Sequence, residues 1–283
     1  HTADIQIIKT TGDRLQEVTF AQVGSKGMFT KEIEEALAEG RIDLAVHSLK
    51  DLPTELPEVF TLAAIPARVD PRDAFVSEKY ASLAALPAGA KIGTSSQRRR
   101  AQLKALRPDL VAVEFRGNVD TRLRKLAEGQ VDAILLAAAG LDRLQKAEWI
   151  RERLDPKDFC PAAGQGALAI ETRRNDAATI AATMFLDDAA TRFAVTAERA
   201  ALAALGGGCQ VPIGVHCRPA KDEAEIFGVV ADPESGKAVR IYHKAPHSGD
   251  GVELGRLTAE MLLRKGAGTL LAGVAEQSAG ASA

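Results

Sequence analysis

The chain has 283 residues, 46% hydrophobic and 26% charged, with a formal net charge of -2. This is ordinary globular composition, enough for two or three domains, and the near-neutral balance argues against a nucleic acid or a membrane surface as partner. No stretch is apolar for long enough to span a bilayer. Three cysteines, Cys160, Cys209 and Cys217, cannot all pair and show no zinc-type spacing. Reduced thiols in a reducing compartment are expected.

The chain opens at His1 without an initiator Met, and its natural start is expected upstream. Ile5–Ile8 reads as a strand, and the glycine-punctuated stretch from Thr10 to Gly27 as a mobile loop. A helix is predicted from Phe29 to about Glu39, with Thr30 as N-cap, Ile33, Ala36 and Leu37 on its apolar face and Gly40 as its stop. Residues 42–49 ("IDLAVHSL") read as a buried strand ending at Lys50 and Asp51. Strand ends of this kind are where open α/β sheets place ligand chemistry. The region 61–77, broken by Pro66 and Pro71, reads as a crossover into another domain.

The next hundred residues repeat one rhythm. "AKIGTSS" is strand and turn, and "QRRRAQLKAL" is helix. "LVAVEFRG" is strand and turn, and "NVDTRLRKLAEG" is a helix between Asn118 and Gly129. "VDAILLAAAG" is strand again. Strands alternating with short helices predict βαβ units and a parallel sheet. Residues 159–172 read as a return crossover, which makes two α/β lobes with a cleft between them. From Asp187 the pattern becomes an Ala-rich helix (190–205), a Gly-rich turn (206–208) and strands near 211–217 and 225–231, a small third α+β domain. The tail 276–283 reads as frayed.

Four segments carry chemistry. Asp51 in "HSLKDLP" fits a cleft carboxylate that moves protons or stabilises a cation, and on spacing alone fits better an Asp closing a turn before Pro53. His47 reads as a packed core histidine. In "GTSSQRRRAQL", Arg98 and Arg99 stand in a helix first turn, where positive charge opposes the macrodipole unless an anion lies nearby; Arg100 reads as solvated. Arg116, Arg122 and Arg143 follow neighbouring strands, and guanidiniums converging on one edge suit a ligand with several carboxylates, or a phosphate. Cys209 in "LGGGCQVPIG" fits an exposed thiol carrying a covalent group, or a small buried residue in a tight turn, the reading kept for Cys160 and Cys217.

The strings "KGMFTKEIEEAL", "DLAVHSLKDLP", "GTSSQRRRAQL", "FRGNVDTRL", "AAGLDRL", "PAAGQGALAIE" and "GGGCQVPIG", in this order from Lys26 to Gly214, resemble the hydroxymethylbilane synthase (porphobilinogen deaminase) family. The resemblance implies an α/β fold with two lobes like those of periplasmic binding proteins, 1–66 plus 167–186 and 67–166, and a third α+β domain, 187–283, with a three-stranded sheet. It implies a transferase that condenses four porphobilinogen molecules head to tail with loss of ammonia, then releases hydroxymethylbilane with water, in tetrapyrrole biosynthesis. It implies a dipyrromethane cofactor joined by a thioether to Cys209, and a cytoplasmic monomer, with a plastid as the alternative compartment.

By the same resemblance Asp51 is the catalytic aspartate, stabilising the cation left when the aminomethylpyrrole loses ammonia. Arg98, Arg99, Arg116, Arg122 and Arg143 match arginines that bind acetate and propionate side chains. Lys50, Thr94, Ser96 and Lys26 match supporting contacts, Phe29 an aromatic packing on pyrrole rings, and Gly117, Gln165 and Gly166 lie in segments lining the site. Two departures stand out. The family's early Arg-x-Ser-x-Leu-Ala segment has no counterpart here, and Gln22 stands where many members carry lysine. Three competing readings are a two-lobed binding protein without catalysis, an acyl-transfer enzyme using Cys209, and an anion- or nucleic-acid-binding protein. The first has no use for "GGGCQ", the second lacks an evident histidine base, and the low aromatic content opposes single-strand binding.

Overall fold

The computed structural model describes residues 2–8, 10, 30–207 and 211–280. Residues 2–8 form no strand and are largely exposed, so the strand expected at Ile5–Ile8 is not made. Among the described residues the first regular element is α1 (Lys31–Ala38), with buried Ala36 and Leu37 as expected. It ends at Gly40, whose φ of 71° is the left-handed conformation that closes helices. Strand β1 (Leu44–Ser48) is shorter than expected and buries only alternate residues; Val46 is 58% exposed. Alternation of this kind marks a sheet wetted on one face, not a strand buried on both. β2 (Phe60–Ala64) ends at the first crossover, and β3 (Asp73–Val76) begins beyond it.

β4 (Lys91–Gly93), α2 (Gln97–Leu106), β5 (Val111–Val113), α3 (Val119–Ala127) and β6 (Ala133–Ala137) follow the expected alternation. The helix starts are locally encoded. The Ser96 side chain accepts from the Arg99 N–H, and the Asn118 side chain from the Thr121 N–H. Helix α4 (Ala138–Arg143) and strand β7 (Ile150–Arg153) complete a five-stranded sheet in the order β5-β4-β6-β3-β7. β4 is parallel to β5 and β6, whereas β3 runs antiparallel to β6 and β7. The sheet is therefore mixed rather than purely parallel. Its two faces bury separate apolar clusters, one around Phe75, Ile92 and Leu135, the other around Val76, Ile134 and Leu141.

The return crossover leads to β8 (Leu168–Arg173), which lies between β1 and β2 and is antiparallel to both. After α5 (Ala177–Thr183), the long helix α6 (Ala189–Ala204) packs on a three-stranded antiparallel sheet, β9 (Ile213–Pro219), β10 (Glu223–Ala231) and β11 (Ala238–Pro246). Helices α7 (Val252–Arg264) and α8 (Ala267–Gly280) cover this sheet, so residues 276–280 of the expected frayed tail are helical.

One buried carboxylate ties this last unit to both crossovers. Glu198 on α6 is fully buried. It accepts from Arg68 Nη1 and Nη2 at 2.6 and 3.1 Å, from the Gly164 N–H at 2.7 Å and from the Cys217 N–H at 2.8 Å, with His216 Nδ1 at 3.2 Å. Burial alone would raise its pKa, but Arg68 and His216 hold it down at about 2. The ordinary value is 4.5. A pKa lower in the folded chain than in the unfolded one adds stability above the unfolded value, and that stability is lost as pH falls through the folded value. Glu198→Gln should lower stability at pH 7 by about 3–5 kcal/mol in urea unfolding, because the Arg68 charge is then buried without its partner. The difference from the parent chain should shrink as pH drops from about 4.5 to 2; a difference independent of pH would show that the charge is not the cause.

Candidate active site

Asp51 sits on a single 3-10 turn, Leu49–Asp51, directly after β1. The turn is fastened on both sides. Leu49 and Leu52 are buried in a cluster with Ile65, Ala167 and Val195, and the Leu49 N–H donates to the Ala167 carbonyl at 3.1 Å. Arg199 of α6 donates to the carbonyls of Leu52, Pro53 and Thr54 at 2.6–3.3 Å. The Asp51 carboxylate is exposed while the backbone beneath it is held. His47 is a core residue as expected: it is buried, with Nε2 at 2.9 Å from Glu171 Oε2.

Lys50 is partly buried, and its Nζ donates to Gln165 Oε1 at 3.5 Å. Burial pushes the ammonium pKa down; neighbouring Asp51 opposes that shift and Arg99 adds to it. Gln165 comes from the second crossover. Its Nε2 donates to the Pro71 carbonyl at 2.7 Å and to Asp73 Oδ1 at 2.9 Å. Gly166 beside it has φ 86°, and a Cβ there would stand 2.7 Å from the Val69 carbonyl oxygen. The two crossover segments thus run in contact where only glycine fits.

Arg98 and Arg99, in the first turn of α2, are both buried. Sequence reasoning assigned their unfavourable placement to a ligand anion; in the fold, an internal carboxylate answers it. Arg98 Nη1 donates to Asp73 Oδ2 at 2.6 Å, and Arg99 Nη2 to Asp73 Oδ1 at 2.7 Å. Burial would raise the Asp73 pKa, but these two guanidiniums hold it well below the usual carboxylate range. Asp73 escaped the sequence reading because its partners lie 25 and 26 positions away. A buried-charge balance across the two segments was the only available signal. Of the supporting hydroxyls, Ser96 caps α2 and the fully buried Thr94 Oγ1 accepts from the Ser96 N–H at 3.2 Å.

The remaining arginines face the same region. Arg116 donates to Glu114 at 2.6 Å, and Glu114 also takes Arg100 at 3.4 Å. Arg122 Nε donates to the Gly117 carbonyl at 2.7 Å. Gly117 has φ 119°, and a Cβ there would meet Thr121 at 2.7 Å. Arg143 Nη2 donates to the Gly166 carbonyl at 2.9 Å, beside Gln165. Neither Arg122 nor Arg143 pairs with a carboxylate among the described residues. Burial, then the nearby Arg99 charge, lowers the Arg122 pKa to about 10, and burial also lowers that of Arg143. Partly desolvated guanidiniums with no ion-pair partner among the described residues favour an incoming anion.

Lys26, Phe29 and Cys209, with Gln22, lie outside the described residues. The glycines before Cys209 are described in part. Gly206 has φ 68°, and a Cβ on Gly207 would clash with Leu202 at 2.5 Å, so the turn packs tightly on the core of the third sheet. A cavity of about 490 Å³ lies elsewhere, lined by Arg68, Arg72, Arg153, Thr191 and His216 among others, and holds none of the candidate residues.

Comparison with known proteins decides the family. Residues 1–181 match the family model described as porphobilinogen deaminase, dipyromethane cofactor binding domain, and residues 192–264 match the porphobilinogen deaminase C-terminal domain. The chain belongs to the porphobilinogen deaminase family. Porphobilinogen deaminase of Roseiflexus sp. (strain RS-1) is 51% identical over 272 residues, covering 96% of this chain and 89% of that one. That of Burkholderia thailandensis is 50% identical over 280 residues, covering 98% and 85%. Among solved structures, the methionine-binding protein MetQ is similar at a TM-score of 0.40 and 15% identity, covering 64% of this chain and 87% of its own. A putative methionine-binding lipoprotein of Bacillus subtilis is similar at 0.38 and 16%, covering 55% and 74%.

Cys160 and Cys217 are both buried, and burial pushes each thiol up to about 12. At that value essentially no thiolate exists near neutral pH. Native protein treated with iodoacetamide at pH 8 should therefore show no alkylation of these two by peptide mass spectrometry, and both should label once unfolded in urea. Rapid labelling of either in the native state would mean that it is not sealed in the core.

Proposed function

We propose that Asp51, Cys209 and the arginine edge divide the work of hydroxymethylbilane synthesis in this chain. The reaction is that of the family: four porphobilinogen molecules are joined head to tail with release of ammonia, and water releases linear hydroxymethylbilane. The observation that carries the assignment of roles is the juxtaposition at the crossovers. One exposed carboxylate, on a turn fastened from both sides, follows Lys50, which lies within electrostatic reach of Arg98 and Arg99, part of a set of guanidiniums that outnumber their carboxylate partners among the described residues.

These residues fit a dipyrromethane. The group presents several carboxylates on a small aromatic frame, and Arg122 and Arg143 supply cations that form no ion pair with a carboxylate among the described residues. Two of the three thiols are sealed in the core, which supports Cys209 as the attachment point. When bound, the dipyrromethane supplies the pyrrole carbon from which the product grows. Arg98, Arg99, Arg116, Arg122 and Arg143 hold acetate and propionate carboxylates, with Lys50, Thr94, Ser96, Gly117 and Gln165 shaping the wall around them. Lys26 and Phe29 belong to this set through the family resemblance. Asp51 offers its carboxylate to pyrrole N–H groups, stabilises the cation formed as ammonia departs, and helps move protons to the leaving amine and, once the rings are joined, off the new ring junction.

The domain division 1–66 with 167–186, 67–166 and 187–283 belongs to the same reading, as does a monomer in the cytoplasm. Among the described residues no helix is long and apolar enough to cross a membrane.

Intact mass spectrometry should find the purified protein heavier than its sequence by two pyrrole units. Cys209→Ser should lack that thioether-linked increment, and an unchanged increment would move the attachment elsewhere. Asp51→Ala should retain the increment but lose turnover by about a thousandfold or more, as expected when a general acid–base and electrostatic group is removed. Product formation at the parent rate would remove Asp51 from the chemistry.

A further inference from the structure

Arg98, Arg99, Gln165 and Lys50 are joined in one hydrogen-bonded line, and its middle member is a residue to which no catalytic or binding role has been given. Asp73, the first residue of β3, is fully buried at the first crossover. Its Oδ2 accepts from Arg98 Nη1 at 2.6 Å. Its Oδ1 accepts from Arg98 Nη2 at 3.2 Å, from Arg99 Nε and Nη2 at 3.0 and 2.7 Å, and from Gln165 Nε2 at 2.9 Å. Gln165, on the second crossover, passes the line to Lys50 Nζ, next to Asp51. The line runs from the helix that carries the arginines to the turn that carries the carboxylate, across both segments that join their sheets.

Two features make Asp73 more than a structural ion pair. The first is charge. Two buried guanidiniums against one carboxylate leave one positive charge over, so Asp73 allows Arg98 and Arg99 to lie side by side without cancelling their pull on an incoming anion. The second is geometry. A guanidinium has five N–H donors. Arg98 uses three, on Asp73 and the Cys160 carbonyl; Arg99 uses three, on Asp73 and the Leu135 carbonyl. Each head is held in its plane with two donors left over among the described residues, which is how a preorganised carboxylate receptor is built.

We propose that Asp73 is a positioning residue that fixes the arginine pair for ligand carboxylates, and that Gln165 sets the Lys50–Asp51 turn in register with that pair. This rests on the roles proposed for Asp51 and the arginines. The two halves of the line have separable signatures. Lengthening the anchor moves the carboxylate-binding heads and acts on binding. Cutting the Gln165 link leaves Arg98 and Arg99 on Asp73 but removes its hold on the Lys50 ammonium beside Asp51, and so acts on the chemical step. Displacing a site group by about 1 Å can change a rate a hundredfold.

The test uses the full chain carrying its cofactor, with Asp73→Glu, Asp73→Asn and Gln165→Met compared by intact mass, thermal melting and initial rates on porphobilinogen per mole of cofactor-loaded protein. Asp73→Glu keeps the charge and is expected to raise KM roughly tenfold with a smaller fall in kcat. Gln165→Met is expected to lower kcat roughly tenfold at nearly unchanged KM. Asp73→Asn, if it folds, should raise KM further, and failure to fold leaves the other two variants to decide. A merely structural role would lower melting temperature and loaded fraction while leaving KM and kcat per loaded molecule at parent values, and that result overturns the proposal. Absence of the mass increment from the parent protein would instead overturn the reading on which it rests.

Discussion

Glu198 is a charge removed entirely from water, and the mutual arrangement of the three sheets depends on how it is satisfied. A bare carboxylate in that position would be too costly to keep. It persists because Arg68 comes from the first crossover, the Gly164 N–H from the second, and His216 and the Cys217 N–H from β9. None of these groups is local to α6. Each connection is therefore a constraint on how distant parts of the chain pack, and losing any one leaves a buried polar group stranded.

The same logic repeats a short distance away, and one residue connects the two places. The Gln165 backbone carbonyl accepts from Arg68 Nε at 2.8 Å, while its side chain bonds to Asp73 and Lys50. The network that packs the third sheet and the network that orders the arginines thus share a crossover peptide. Position of the small α+β unit and geometry of the arginine edge are set by one continuous buried network. Arg199 extends this to the carboxylate itself, because it reaches from α6 to the carbonyls just beyond Asp51. Precise placement of an exposed group requires an unexposed frame.

What the chain's order reveals follows from the range of each interaction. The second sheet's alternation of strand and helix was legible because its caps and stops are local: Ser96 and Asn118 open helices, and Gly129 closes one with a φ of 74°. Sheet direction was not, because antiparallel pairing of β8 with β1 and β2 is settled by segments more than a hundred positions apart. The candidate site divided in the same way. Asp51 and the arginines stood out by residue type next to strand ends and helix starts, and Gln165 through the family resemblance. Asp73 and Glu198, which hold them, look in sequence like any other acid near a proline or within a helix. Only contact across the fold distinguishes them.

The choice of guanidinium over ammonium in this cluster has a further effect. Arginine does not give up its proton in proteins, and even Arg122, lowered to about 10, stays charged through the neutral range. The edge around Asp73 therefore keeps one sign of potential whatever the surrounding acidity between weakly acid and weakly alkaline conditions. With the roles proposed for these residues, recognition of carboxylates is separated from proton transfer, which is left to groups that do titrate. A catalyst that repeats one bond-forming step several times benefits from that division: protons can come and go at each cycle while the grip on the growing anion does not change.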